Sequence, residues 1–255
     1  SAASDVYKRQ EEKRFDLSPN LAGDASVWVA WVFQSNDTTQ YEGPWVDDIL
    51  IRKYVPGQVT VRGSLFYADR RNNPAPARFT RVYLYDQDPG GSDDLLGTTV
   101  TDASGFFQFP TRTNWDEDDP DPDPNNRRLD LYVVWETDIN DSASARRRVT
   151  NFGDWAYKWR SEYRTNVQDG IADFSDYRIG PEIPSLRAMW IFQDLRRAWE
   201  QVLATGIDPG SATVRWERGQ NCYRIVTDIC NSFFWPYYPL NGVFVSDAHV
   251  NSGDI

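Results

Sequence analysis

VTVRGSLFYADR (residues 59–70), RVYLYDQD (81–88), TTVTDASGFFQF (98–109) and LDLYVVWETD (129–138) are the clearest strands in the chain, and everything else flanks them. Val59, Val61, Leu65 and Tyr67 fall on one face at period two, as a half-buried strand requires. Leu129, Leu131, Val133 and Trp135 repeat the pattern at the far end. Between them, Asp102 to Gly105 reads as the turn of a hairpin. Asp and Ser side chains bond back to the backbone there, and Gly105 supplies a positive φ before Phe106. Strands of this length separated by such turns predict a β-sandwich.

The TVTDASGFFQF segment following VTVRGSLFYADR resembles the transthyretin-like, carboxypeptidase-regulatory-like modules of secreted proteins. In those modules a Thr-Asp-x-x-Gly-x-Phe hairpin recurs and two sheets pack as a Greek key. The resemblance implies an Ig-like or transthyretin-like sandwich and an extracellular habitat, but no single function.

The 255 residues leave room for two compact domains and a sizeable core. Apolar residues make up 40% and aromatic residues 15%, with 11 Trp, which suits a β-rich extracellular protein better than a cytosolic α/β enzyme. A net charge of -11 argues against nucleic acid or an anionic membrane as partner. No apolar run reaches the length of a transmembrane helix, and no signal-peptide pattern is seen. The chain begins at Ser1 and its one Met is Met189, so a fragment of a longer, metagenomic reading frame is expected.

SAASDVYKRQ (1–10) resembles a translated sequencing-library adapter, the alternative being a natural polar tail; either is expected to be disordered. SVWVAWVFQS (26–35) and GPWVDDILIRKY (43–54) read as two strands, the first apolar on both faces and so buried. The second resembles the last strand of galactose-binding or MAM-like jelly rolls, and two strands alone are marginal in water. Residues 11–55 are therefore expected to be the end of a truncated jelly-roll-like domain. Asp47 and Asp48 are either its structural strand end or an acidic dyad, the former being favoured. Val55-Pro56-Gly57 leads into the sandwich, assigned to 56–140.

Two acidic loops interrupt the sandwich, DQDPGGSDD (86–94) and DEDDPDPDPNNRR (116–128). Asp119, Asp121, Asp123 and Asp130 occupy positions 1, 3, 5 and 12 of an EF-hand-like count, which makes them calcium candidates. Pro124 stands where that loop needs Gly, and Asp130 replaces the bidentate Glu, so a solvated loop tip is the favoured reading. Further on, Trp155, Tyr157 and Trp159 recur at period two. Exposed, they would make a carbohydrate platform; packed inward, which is the favoured reading, they would be the core side of an ordinary strand.

PSLRAMWIFQDLRRAWEQVLATG (184–206) predicts an amphipathic helix. Ala188, Ile191, Phe192, Leu195, Trp199 and Val202 form its apolar stripe, Arg196 and Glu200 pair at i,i+4, and Gly206 ends it. ATVRWERG (212–219) and GVFVSD (242–247) read as strands around a long insertion. The insertion holds Cys222 and Cys230, with seven residues between them. A disulfide there would contribute ~2.6 kcal/mol by loop closure, the alternative being two free thiols. His249 is the one histidine, so a two-histidine zinc site cannot form and no catalytic constellation is complete. Two carboxylates suffice for a glycosidase, and 38 acidic residues single out no pair.

NFGDWAYKWRSEY (151–163), NVQDGIADFSDY (166–177), the helix, DPGSATVRWERG (208–219) and GVFVSDAHVNSGDI (242–255) together resemble the lead-in segment of secreted HExxH-type zinc metallopeptidases. That resemblance implies that residues 141–255 begin a truncated metallopeptidase-like domain, with the zinc helix expected beyond Asp254 and Ile255. The expectation is thus a mainly β, secreted, non-catalytic accessory region with one amphipathic helix. No metal is expected in this stretch unless the loops take calcium, and zinc is expected downstream. Its partners would be the rest of its own polypeptide and an extracellular protein or polysaccharide. The alternative is a carbohydrate-binding or adhesive module.

Overall fold

The computed structural model describes residues 55–88, 91–119, 121, 126–140, 146–175 and 177–219, together with the backbone of Val243–Phe244. The chain divides into two units between Tyr54 and Val55, and the described residues belong to the second. The jelly-roll reading of 11–55, Asp47, Asp48, Asp123, Cys222, Cys230 and His249 lie outside the described residues.

The unit is mainly β, with a single helix among the described residues. In chain order its first strands are β1 (Gln58–Ser64), β2 (Phe66–Ala68), β3 (Pro74–Pro76), β4 (Arg81–Asp86), β5 (Asp94–Val100), β6 (Phe106–Gln108) and β7 (Arg112–Thr113). There follow β8 (Leu131–Glu136), β9 (Asp138–Asn140), β10 (Arg146–Thr150), β11 (Lys158–Arg160), β12 (Gly170–Asp173) and β13 (Arg178–Ile179). The helix α1 (Leu186–Ala204) then leads to β14 (Ala212–Arg215) and β15 (Val243–Phe244).

One layer of the sandwich is built on β1, which is antiparallel to β6 and β7 and parallel to β12. Its continuation, β2, lies between β3 and β13. The other layer has the order β11-β8-β4-β5, all antiparallel. Alternation drives the two layers together. Val59, Val61, Leu65, Tyr67 and Phe107 face Val82, Leu84, Leu131, Val133 and Trp135 in one core. Each fully buried large apolar side chain contributes about 1.5–3 kcal/mol by leaving water. Trp135 lies edge-to-face with Phe107 at 6.1 Å and stacks on Tyr177 at 4.5 Å.

The Asp102–Gly105 turn forms as the sequence predicts, but it does not close a hairpin. Asp102 Oδ1 accepts from Ser104 N at 2.7 Å and Phe106 N at 3.0 Å, and Gly105 has φ +82°. The strands on either side have different partners, β4 for β5 and β1 for β6, so the turn carries the chain from one layer to the other. The buried Thr101 fixes this corner. Its hydroxyl donates to Ala77 O at 2.6 Å and accepts from Thr80 N at 2.8 Å. Leu65 N donates to Gly105 O at 2.9 Å, so β1 rather than β5 takes up the outgoing strand.

Strands after residue 140 complete these layers. β12 and β13 extend the first, and β11 is the edge of the second. The boundary read at 140 from sequence therefore divides strands that are hydrogen-bonded to each other and share a core.

Helix α1 buries Ala188, Ile191 and Phe192 as its stripe predicts, but Met189, Gln193 and Arg196 are buried too and Val202 is exposed. The cover comes from the sandwich itself rather than from later strands alone. Trp190 Nε1 donates to Ala68 O at 2.6 Å, and Gln193 Nε2 donates to Arg78 O at 3.0 Å. Ser185 precedes the helix without capping it, because its Oγ accepts from Trp159 Nε1 at 2.9 Å. The Arg196–Glu200 pair forms at 3.2 Å, and Gly206, at φ +84°, ends the helix. α1 also lies over β10, where Trp199 sits 3.9 Å from the guanidinium of the fully buried Arg147. β10 is parallel to β14, and β14 to β15, so both late strands enter one sheet. Among the described residues no helix is long and apolar enough to cross a membrane.

Candidate functional site

The outer side of the β11-β8-β4-β5 layer follows directly from the alternation that fills its inner side. With Val82 and Leu84 turned to the core, Arg81, Tyr83 and Tyr85 of β4 must face outward. Register places Tyr132 of β8 opposite Tyr85 and Glu136 opposite Arg81. On the neighbouring β11, Lys158 stands opposite Glu136 and Arg160 opposite Val134.

These side chains form a continuous aromatic surface. Tyr85 stacks on Tyr132 at 5.2 Å with an interplanar angle of 11°, Tyr83 lies 6.3 Å from Tyr85, and Tyr163 meets Tyr132 edge-on at 4.9 Å. Tyr132 is the buried floor, Tyr83 and Tyr85 are half-buried, and Tyr163 is exposed. Polar groups hold the rings in place. Tyr83 Oη donates to Glu136 Oε2 at 2.6 Å and Tyr132 Oη to Asp93 Oδ2 at 2.6 Å. Burial, reinforced by these carboxylate contacts, pushes both phenols above their ordinary range, so they stay protonated as donors.

Cations edge the rings. Arg160 lies over Tyr132 at 5.7 Å and over Tyr163 at 4.5 Å, and its Nη1 donates to Tyr163 Oη. Lys158 lies over Tyr83 at 5.8 Å and pairs with Glu136 at 3.4 Å. At Arg81 the surface runs on into a groove of about 520 Å³, lined also by Phe79, Thr98, Thr99 and Arg196. Flat rings with hydroxyls and guanidiniums at their edges can stack against an apolar ligand face while bonding its polar rim.

The three aromatics proposed from sequence do not form a platform. Trp159 is buried at 4% exposure in the core, and Tyr157 is half-buried with its hydroxyl donating to Trp216 O at 2.5 Å. Trp155, 75% exposed, lies in a turn before β11 rather than in it. The sandwich core takes the other two because β11 adds to the layer edge with Trp159 opposite Trp135. The tyrosine surface was legible in part, since Tyr83 and Tyr85 alternate with Val82 and Leu84. The contribution of Tyr132 and Arg160 needed the strand pairing.

The two acidic loops, far apart in sequence, meet at the end of β4. Carboxylate oxygens of Asp86, Asp88 and Asp116 lie within 4.8 Å of one another, as do those of Asp88, Asp94 and Asp118. The sequence candidates are engaged elsewhere. Asp119 Oδ1 accepts from Asp121 N at 2.8 Å, Asp121 Oδ2 from Asn126 Nδ2 at 3.2 Å, and Asp130 from Asn166 N. Crowded carboxylates at such spacing are common without an ion.

Asp86 is 4% exposed, and its Oδ1 accepts from Asp130 N at 2.7 Å. Burial first, then the charges of Asp116, Asp88 and Asp130, push its carboxyl up to about 7. Asp88 and Asp130 are raised as well, each mainly by burial. A carboxyl with a raised folded-state pKa stabilises the fold fully below its unfolded value near 3.8 and loses that contribution as pH rises towards 7. Asp86→Asn keeps the acceptor for Asp130 N and removes the charge. It is expected to raise the melting temperature at pH 8 and to leave it unchanged at pH 4. Equal melting curves for the two proteins at pH 8 would refute this.

No family model matches the chain, and no curated protein matches it. Among solved structures it is similar to a 9R-lipoxygenase from Cyanothece PCC8801, with 18% identity and a TM-score of 0.30 over 51% of this chain. The chain spans 18% of that lipoxygenase. It is similar also to a protein from Pseudomonas aeruginosa named a "putative carbohydrate binding protein", with 13% identity and a TM-score of 0.24, covering 46% of this chain and 89% of that one. Likenesses at these TM-scores carry no argument about this chain's function.

Proposed function

We propose that this unit is a non-catalytic accessory module of a secreted protein and that it holds carbohydrate on the tyrosine face. The observation that carries the reading is the contiguous set of Tyr83, Tyr85, Tyr132 and Tyr163 on the outer side of a sheet, away from the sandwich core. Pyranose rings present an apolar C–H face and a polar rim, which is the complement of such a surface. Strand backbone and the bonds to Glu136 and Asp93 fix the rings before ligand arrives, so little side-chain entropy is lost on binding.

The test is calorimetric titration with a panel of soluble oligosaccharides. We expect binding to at least one, and Tyr85→Ala to weaken it by about tenfold or more, the loss of one stacked ring corresponding to roughly 1.4 kcal/mol. Trp155→Ala is expected to leave it unchanged. No binding at millimolar sugar, or binding that depends on Trp155 and not on Tyr85, would overturn the assignment.

The enzyme such a module would serve follows from the resemblance of residues 151–255 to secreted zinc metallopeptidases. What supports that wider reading is that α1 and β14 are packed onto the sandwich rather than strung after it, so the lead-in and the module would move as one piece. Its check is whether the coding sequence beyond Ile255 carries H-E-x-x-H.

A further inference from the structure

We infer that the carbohydrate taken by this face is acidic, a polysaccharide whose sugars carry carboxylates, an assignment that rests on the carbohydrate reading above. The chain as a whole has a net charge of -11, yet three cations, Arg81, Lys158 and Arg160, edge the tyrosines against the two carboxylates of Glu136 and Asp93. Lys158 is neutralised by Glu136. Asp93 is committed to the hydroxyl of Tyr132. Arg81 and Arg160 form no ion pair among the described residues. Arg81 reaches Tyr83 Oη at 3.4 Å, and Arg160 bonds Tyr163 Oη.

Two guanidiniums are thus presented with their carboxylate-binding edges unspent by a carboxylate. They stand on the two strands that flank β8, two inter-strand spacings apart and offset by two residues along the strands, so their backbones are about 12 Å apart. Tyr83 shares the cross-strand row of Arg160, and the Tyr85–Tyr132 pair lies in the next outward-facing row. A sugar stacked on Tyr83 or Tyr85 can place a ring carboxylate against one arginine, and the next acidic sugar can reach the other. A guanidinium receives a carboxylate through two parallel N–H bonds, which a lysine cannot imitate. The Arg81 end opens into the groove beside Thr98 and Thr99, whose hydroxyls supply further bonds for a continuing chain. Screening confines the repulsion of the remote acidic groups to about 8 Å at physiological salt, so the local cations decide the encounter.

The experiment titrates the chain with an oligogalacturonide and with the same oligomer after reduction of its carboxyls to alcohols. We expect the acidic form to bind about tenfold more tightly or better, and the difference to shrink as salt rises. Arg160→Gln and Arg81→Gln are each expected to weaken the acidic form several-fold and the reduced form by a clearly smaller factor, because only the acidic form loses a guanidinium–carboxylate pair. Two separate variants guard against one that merely disturbs the neighbouring rings. Equal affinity for both oligomers, with neither variant discriminating, would overturn this inference while the carbohydrate reading stood. Failure of both oligomers and of every neutral sugar in the panel would remove both. An acidic peptide bound as tightly as the oligogalacturonide, with the same dependence on Arg81 and Arg160, would also overturn both and make the face a protein-docking surface.

Discussion

Replacing Trp135 by alanine should cost about 3–5 kcal/mol of unfolding free energy, the largest single effect expected in the molecule. The side chain is fully buried at the centre of the sandwich. It reaches across from one layer to the other, edge-to-face with Phe107 of β6 and stacked on Tyr177 beside β13. The two strands that hold those rings enter from distant parts of the chain, so nothing local can move in to fill the space. The cost is the lost transfer energy plus the cavity left between two rigid layers. Against a total stability of ~5–15 kcal/mol for a domain, that is a third or more. Urea unfolding of both proteins measures it. A loss under about 1.5 kcal/mol would show that the layers close over the gap and that the core yields around it. Trp135→Phe, which keeps a ring against Tyr177, is expected to lose less than half as much.

Gly105→Ala should follow, with a loss of roughly 2–4 kcal/mol, because two separate costs fall on one methyl group. The first is conformational, since Gly105 holds φ +82°, where an L side chain is strained. The second is steric. A Cβ built there lies 2.5 Å from Leu65 O, a backbone atom at the junction of β1 and β2. Leu65 N is bonded to Gly105 O in the same contact, so the strand cannot retreat without breaking it. Gly206→Ala separates the two costs. That residue has φ +84° with no atom within 4 Å of a new Cβ, and it should lose only about 1 kcal/mol. Equal losses at the two sites would show that the close approach to Leu65 contributes nothing.

What lay in the sequence and what did not divide along one physical line. Period-two alternation is a property of each strand taken alone. It therefore located the inward residues of β1 and β8, and implicitly the outward tyrosines of β4, without knowledge of any partner. The Asp102 turn and the Gly206 helix end were legible for the same reason. Each is closed by bonds within a few residues of itself.

Pairing is different, because a strand edge offers the same N–H and C=O groups to any neighbour. The TTVTDASGFFQF stretch carries two good strands and a good turn, and still its halves go to separate layers. The deciding groups, Thr80, Ala77 and Leu65, lie 20 to 40 residues upstream. The period-two row at 155–159 likewise says that three rings share a side, but which side meets the core is set by β11 docking on β8. The acidic loops show the same limit in electrostatic form. An EF-hand-like count singled out Asp119, Asp121, Asp123 and Asp130, whereas the carboxylates that crowd each other among the described residues belong to two loops and gather around Asp86. By itself, then, the sequence determined a β-sandwich with an amphipathic helix, since those are local periodicities. The tyrosine face with its arginines, and the crowding of Asp86, were decided only by the tertiary structure, because each is assembled across strands or loops whose adjacency no local interaction specifies.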